Sequence, residues 1–172
     1  ALCGDAIACK TASVCIPPSY VERVHRAFPD LTVCTVIGFP HGAHLKSVKL
    51  YEAQRALEQG CRELDMVLNI GRLLQGDQSY VQDEIAAIAR ETHAAGAILK
   101  VILETCYLNE EQKILACSLS CAAGADFVKT STGYGSAGAT AEDVAEGFWF
   151  LSSPEASFIT GEVLNISGGF VI

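Results

Sequence analysis

Three charged side chains stand inside apolar runs. Lys129 interrupts Asp126-Phe127-Val128-Lys129-Thr130-Ser131-Thr132-Gly133-Tyr134-Gly135. Asp65 interrupts Leu64-Asp65-Met66-Val67-Leu68, and Lys100 sits between Leu99 and Val101. A charge buried alone is costly, so such groups should be paired or put to use. Burial disfavours the ammonium form of a lysine, and a neutral amine is a nucleophile toward carbonyls. The chemistry open to this set is imine formation at a lysine, with a carboxylate nearby to move protons. Two plainer readings stand beside it. Lys129 can snorkel from a strand end into solvent, and Asp65 with Lys100 can form a buried pair of purely structural role.

Side-chain parity decides whether the three groups can meet. Alternate residues of a strand share a face. Asp65, Val67 and Asn69 share one face, Lys100, Ile102 and Glu104 a second, Phe127 and Lys129 a third. If all three faces turn to one interior, Asp65, Lys100 and Lys129 converge. Cys15, Asn69, Glu104 and Lys129 also fall at C-terminal ends of predicted strands. That rim carries the catalytic residues in barrel enzymes.

The elements that must position these groups alternate. Apolar runs predict strands near 11–16, 31–38, 64–69, 98–103 and 126–130. Helical spacing follows Ser19 through Val21, Val24 and Phe28, with Ser19 as the expected cap. Further helices are predicted from Ser47 to Gln59, Ser79 to Ala95 and Asn109 to Ala123, with Gly60, Gly96 and Gly124 at their C-terminal caps. Asn109-Glu110-Glu111-Gln112 reads as a capping box. The β-α alternation points to parallel βα units, either a (β/α)8 barrel or an open doubly wound sheet. No GxGxxG follows any strand, which weakens a dinucleotide reading.

The 172-residue chain is half hydrophobic, 19% charged and carries a net charge of −8. That suits one domain with a sizeable core and argues against nucleic acid as a partner. A phosphorylated small molecule is still admissible, because local amides and lysines can hold one phosphate against the global field. No apolar run approaches a membrane span, and Ala1 begins no signal-peptide pattern. Met66 is the sole methionine, so a processed chain or a fragment is expected. Eight cysteines form no CxxC pair. Cys15 and Cys34 lie in apolar runs as small hydrophobes. A reduced cytoplasmic protein is the better reading, a zinc site the lesser one, and His41 and His44 read as loop histidines rather than metal ligands.

Several of these stretches resemble one family in the same order. Asp126 to Gly133 closely resembles the active-site strand of deoxyribose-phosphate aldolases. So do Glu63-Leu64-Asp65-Met66-Val67, Leu99 to Thr105, Ala12-Ser13-Val14-Cys15-Ile16 and Gly38-Phe39-Pro40-His41-Gly42. The resemblance covers about residues 1 to 145. It implies a TIM barrel, with Lys129 as the Schiff-base lysine toward acetaldehyde and Asp65 in the proton relay. It further implies that Lys100 lines the pocket and that Cys15, Thr132 and Gly133 bind substrate. The implied reaction is reversible cleavage of 2-deoxyribose 5-phosphate to acetaldehyde and glyceraldehyde 3-phosphate, in the breakdown of deoxyribose phosphate. It needs no metal or organic cofactor. A homo-oligomer is compatible with the same resemblance.

The resemblance also implies features the sequence lacks. The family's first strand precedes Ala1. Its seventh strand carries a second lysine in a Lys-x-x-Gly-Gly context, whereas no lysine follows Lys129 here. The phosphate loops after strands seven and eight are not recognisable. A (β/α)8 barrel needs about 200 residues. Five βα strands are counted here, with one more candidate near 159–166. An incomplete barrel with open edges is expected. From about residue 146 the chain instead resembles the end of a short-chain dehydrogenase/reductase, through Ile159-Thr160-Gly161-Glu162-Val163-Leu164-Asn165 and Gly168-Gly169. That family's Tyr-x-x-x-Lys pair and glycine-rich loop are absent, which disfavours reductase activity. The division expected is an aldolase-like portion over 1–145 and a foreign tail over 146–172. Impaired turnover is expected, and the alternative is an inactive fragment or chimera serving only as an assembly or interaction unit.

Overall fold

The computed structural model of the chain describes residues 1–138. The candidate strand near 159–166 and the reductase-like tail therefore lie outside the described residues. Five strands form one sheet in the order β1 (Val14–Cys15), β2 (Val33–Ile37), β3 (Glu63–Val67), β4 (Ile98–Ile102) and β5 (Phe127–Lys129). Every neighbouring pair is parallel. All five predicted strands are present, each shorter than its apolar run, because ladder pairing ends before the apolar stretch does.

Helices α1 (Leu2–Cys9), α2 (Val21–Ala27), α3 (Lys46–Glu58), α4 (Ile70–Leu74), α5 (Gln78–Ala94) and α6 (Glu110–Ala122) surround the strands. Leu64 and Met66 of β3 and Leu99 and Val101 of β4 are fully buried in one core with Val81, Ile85 and Ile88 of α5. Each such side chain contributes roughly 1.5–3 kcal/mol by leaving water. The opposite parity of the same strands carries Asp65 and Lys100. One strand thus serves the core with one face and the site with the other.

The helix ends are set by short polar side chains. Asn109 and Gln112 form the reciprocal capping box of α6, each bond 2.9 Å. Asp77 accepts from Tyr80 N and starts α5 one residue earlier than predicted. Ser19 does not cap α2. Pro18 to Tyr20 instead form a 3-10 turn, and α2 begins at Val21 with no side-chain cap. Pro18 carries no N–H and favours this tight entry. Asn69, read as a rim residue, accepts from Arg72 N at 3.2 Å and caps the unpredicted α4. Gly42 is required by close approach. Its φ is +65°, and a Cβ there would lie 1.8 Å from the Leu68 carbonyl oxygen.

β5 departs from the expected buried strand. Phe127 and Val128 are each nearly half exposed. Among the described residues β5 is the last strand and pairs on one side only.

A second buried ion pair lies among the helices. Lys49 of α3 reaches Glu84 Oε2 of α5 at 2.8 Å and the Val67 carbonyl at 2.9 Å, and both side chains are fully buried. Burial lowers the Lys49 pKa and raises that of Glu84, against the attraction between them. Glu84 Oε1 has no hydrogen-bond partner. No helix among the described residues is long and apolar enough to cross a membrane.

Candidate active site

Asp65 is the centre of the polar face, 2% exposed. Lys129 Nζ lies 2.5 Å from its Oδ2. Lys100 Nζ lies 3.2 Å from its Oδ1 and 2.5 Å from Glu63 Oε2. Cys34 Sγ donates to Oδ1 at 3.3 Å, and Ser13 Oγ donates to Glu63 Oε2 at 2.8 Å. Two ammonium groups thus meet two carboxylates, and neither acid is left alone in the interior. The three residues singled out by parity converge as expected.

Register sets their heights. Asp65 pairs with Lys100, while Lys129 pairs with Ile102, two residues farther along β4. Lys129 therefore approaches Asp65 from the C-terminal side of the sheet and Lys100 supports it from below. Burial works to lower the Lys100 pKa, but Cys34, Asp65 and Glu63 outweigh it and raise the value. Lys100 stays a cation, unsuited to attack a carbonyl. Lys129 has a single carboxylate partner and open space beside it.

That space is a cavity of about 650 Å³ with Lys129, Asp65, Cys15, Thr132 and Gly133 on its wall. Lys100, the register partner of Asp65, turns its Nζ to Asp65 and Glu63. Phe39 and Tyr134 close one side, with rings edge to face at 5.4 Å. Thr132 is held by the buried Glu104 carboxylate, through its backbone N–H at 3.2 Å and through its hydroxyl. Its hydroxyl oxygen also accepts from Tyr134 N at 3.0 Å. Glu104 adopts φ +54°, uncommon for a side-chain-bearing residue. Such backbone is kept where surrounding contacts over-determine it.

Cys15 and Cys34 are neighbours in register on β1 and β2. The adjacent Cys34 thiol lowers the Cys15 pKa, aided by Lys129 and Lys100 and opposed by burial and the Asp65 charge. The closeness of the two sulfurs, with burial, raises that of Cys34. Glu63 and Cys34 were not singled out as site residues from the sequence, although Glu63 shares parity with Asp65 and Cys34 pairs with Glu63 on the neighbouring strand. Phe39 and Tyr134 carried no such signal. Their meeting depends on loops whose course periodicity does not give.

Residues 1–149 match the DeoC/LacD family aldolases. The chain belongs to this family.

Among aldolase relatives, the Thermococcus kodakarensis deoxyribose-phosphate aldolase is 51% identical over 147 residues, covering 83% of this chain and 66% of that protein. The Treponema denticola deoxyribose-phosphate aldolase is 48% identical, covering 83% of this chain and 67% of that one. The chain spans about two thirds of the length of the curated relatives it matches. The tetrameric deoxyribose phosphate aldolase from Aeropyrum pernix superimposes with a TM-score of 0.67 at 36% identity, over 73% of this chain and 53% of that one. The fold is α/β of the TIM-barrel type, with the barrel not closed among the described residues.

Proposed function

We propose that this chain is a Schiff-base aldolase acting through Lys129, on 2-deoxyribose 5-phosphate as the phosphosugar and acetaldehyde as the released aldehyde. The observation that carries the reading is the Lys129–Asp65 contact at the wall of the cavity. Lys129 Nζ gives a proton to Asp65 and attacks the aldehyde carbon of the open-chain sugar. Asp65 returns the proton to the hemiaminal hydroxyl, water leaves, and an iminium remains. A base removes the proton of the C3 hydroxyl, the C2–C3 bond breaks, and the iminium takes the electron pair as an enamine. Glyceraldehyde 3-phosphate departs. Protonation of the enamine carbon and hydrolysis then release acetaldehyde and restore the lysine. Lys100 keeps Asp65 oriented through its contact with Oδ1, and Thr132 with Gly133 shapes the wall where the sugar lies. No step draws on a metal or an organic cofactor.

Reductive trapping tests this directly. Acetaldehyde with borohydride should leave an ethyl group on the peptide containing Lys129, and Lys129→Ala should abolish it. Asp65→Asn should slow it, because proton transfer to and from the hemiaminal loses its carrier. Adducts spread evenly over surface lysines would overturn the assignment.

All eight cysteines are free, which suits a reducing compartment such as the cytoplasm. Assembly as a homo-oligomer follows the tetrameric relative and is read by light scattering. On the same reading, residues 146–172 bring no reductase chemistry, and binding of a nicotinamide dinucleotide would contradict that.

A further inference from the structure

We propose that Cys15, Cys34 and Asp65 form a binding site for a soft divalent cation such as zinc or cadmium, and that filling it blocks the lysine site. The blocking effect rests on the aldolase reading; the binding does not. The three side chains come from adjacent strands β1, β2 and β3 and point to one face. Their donor atoms all lie within 4.8 Å of one another. Cys34 Sγ is already 3.3 Å from Asp65 Oδ1.

Tetrahedral zinc binds sulfur at about 2.3 Å and oxygen at about 2.0–2.2 Å, which places donors about 3.4–3.8 Å apart. The Cys34–Asp65 edge of the triangle, at 3.3 Å, needs to open only slightly. The half-buried Cys15 has room to swing inward. Two thiolates with one carboxylate suit a soft or borderline cation rather than magnesium or calcium. Strand-borne ligands are held more firmly than ligands on loops.

The lysines beside the site do not forbid a cation. Glu63 and Asp65 already balance Lys100 and Lys129. A divalent ion adds two positive charges, and the two thiols release two protons as they ligate, so the charge of the cluster is unchanged. Lys100 Nζ, 3.7 Å from Cys34 Sγ, is placed to support that thiolate. Cys15 and Asp65 both reach the cavity wall, so the fourth coordination position faces the cavity and takes water or an anion. Asp65 then serves the metal and no longer exchanges a proton with Lys129.

The test is a cadmium titration of the reduced, metal-free 172-residue chain, followed by the thiolate-to-cadmium charge-transfer band. One equivalent should bind with the band. Cys15→Ser and Cys34→Ser should each lose it, while the double variant Cys117→Ser/Cys121→Ser on the exposed face of α6 should keep it. Circular dichroism checks folding. Cys34 is buried and its variant is the more fragile, so Cys15→Ser decides if Cys34→Ser fails to fold. A band that survives Cys15→Ser, or that disappears with the α6 pair, overturns the proposal. In wild-type protein one equivalent of zinc should also suppress borohydride trapping of acetaldehyde on Lys129, and EDTA should restore it. Trapping that is indifferent to bound zinc overturns the blocking effect. Failure to trap without any metal would count against the aldolase reading and leave the cadmium result standing.

Discussion

Asp65 accepts on both carboxylate oxygens, and its partners divide two chemically identical lysines. Lys100 is held by two acids and stays charged, whereas Lys129 meets one acid and a cavity. Parity in the sequence was enough to put all three on one face. It was not enough to separate their depths, because alternation gives a face and only the strand register gives a height. Lys100 pairs in register with Asp65, whereas Lys129 pairs with Ile102, two residues farther along β4. Cys61 is fully buried, donating to the Val33 and Glu63 carbonyls at 3.2 and 3.0 Å. Burial raises its pKa from 9.0 to about 11. A folded pKa above the unfolded one means the thiol's contribution is complete below pH 9 and is lost as pH rises toward 11. At about 1.4 kcal/mol per unit, the loss is on the order of 2–3 kcal/mol. Urea unfolding of wild type and Cys61→Ala at pH 8 and pH 11 should show the steeper decline in wild type. Equal declines would mean that Cys61 ionises without strain.

At the scale of elements, capping chemistry and apolar periodicity placed α3, α5 and α6 within a residue or two, and the capping box of α6 formed as read. The buried Lys49–Glu84 pair was legible but passed over. Lys49 shares the buried face of α3 with Ala53, Ala56 and Leu57, and Glu84 falls in the stripe of Val81, Ile85 and Ile88. A charge on each of two apolar stripes is a signal that the helices meet there. α1 and α4 were missed because short helices carry little periodicity and lean on their neighbours. The exposed face of β5 was missed because an apolar run does not say whether a strand has one partner or two. The pair itself is testable. Removing either partner leaves a buried charge, so Lys49→Met or Glu84→Leu alone should cost about 3–5 kcal/mol. The double variant should cost clearly less than the two added together, measured by urea unfolding. Simple additivity would show that the two charges do not interact.

For the whole molecule, Lys129 is the sole cation on the cavity wall among the described residues. Among the described residues a phosphate on the sugar thus meets no dedicated charge on that wall, and they supply little remote binding energy to orient the substrate. The 172-residue polypeptide should trap acetaldehyde yet cleave 2-deoxyribose 5-phosphate slowly. Its kcat/KM for that ester should exceed the value for unphosphorylated 2-deoxyribose by less than about tenfold, or about 1.4 kcal/mol. A preference of about a thousandfold, some 4 kcal/mol, would place a phosphate site outside the described residues. The sequential strand order has a consequence in the time of synthesis. Paired residues lie from 19 positions apart, Cys15 to Cys34, to 35 apart, Glu63 to Ile98. Closing these loops differs by only about 0.5 kcal/mol, so each strand can dock as it leaves the ribosome. Asp65 then meets Lys100 before Lys129 has emerged from the ribosome. The nascent chain holds its carboxylate paired with Lys100 and carries no reactive amine there until β5, the last strand among the described residues, arrives.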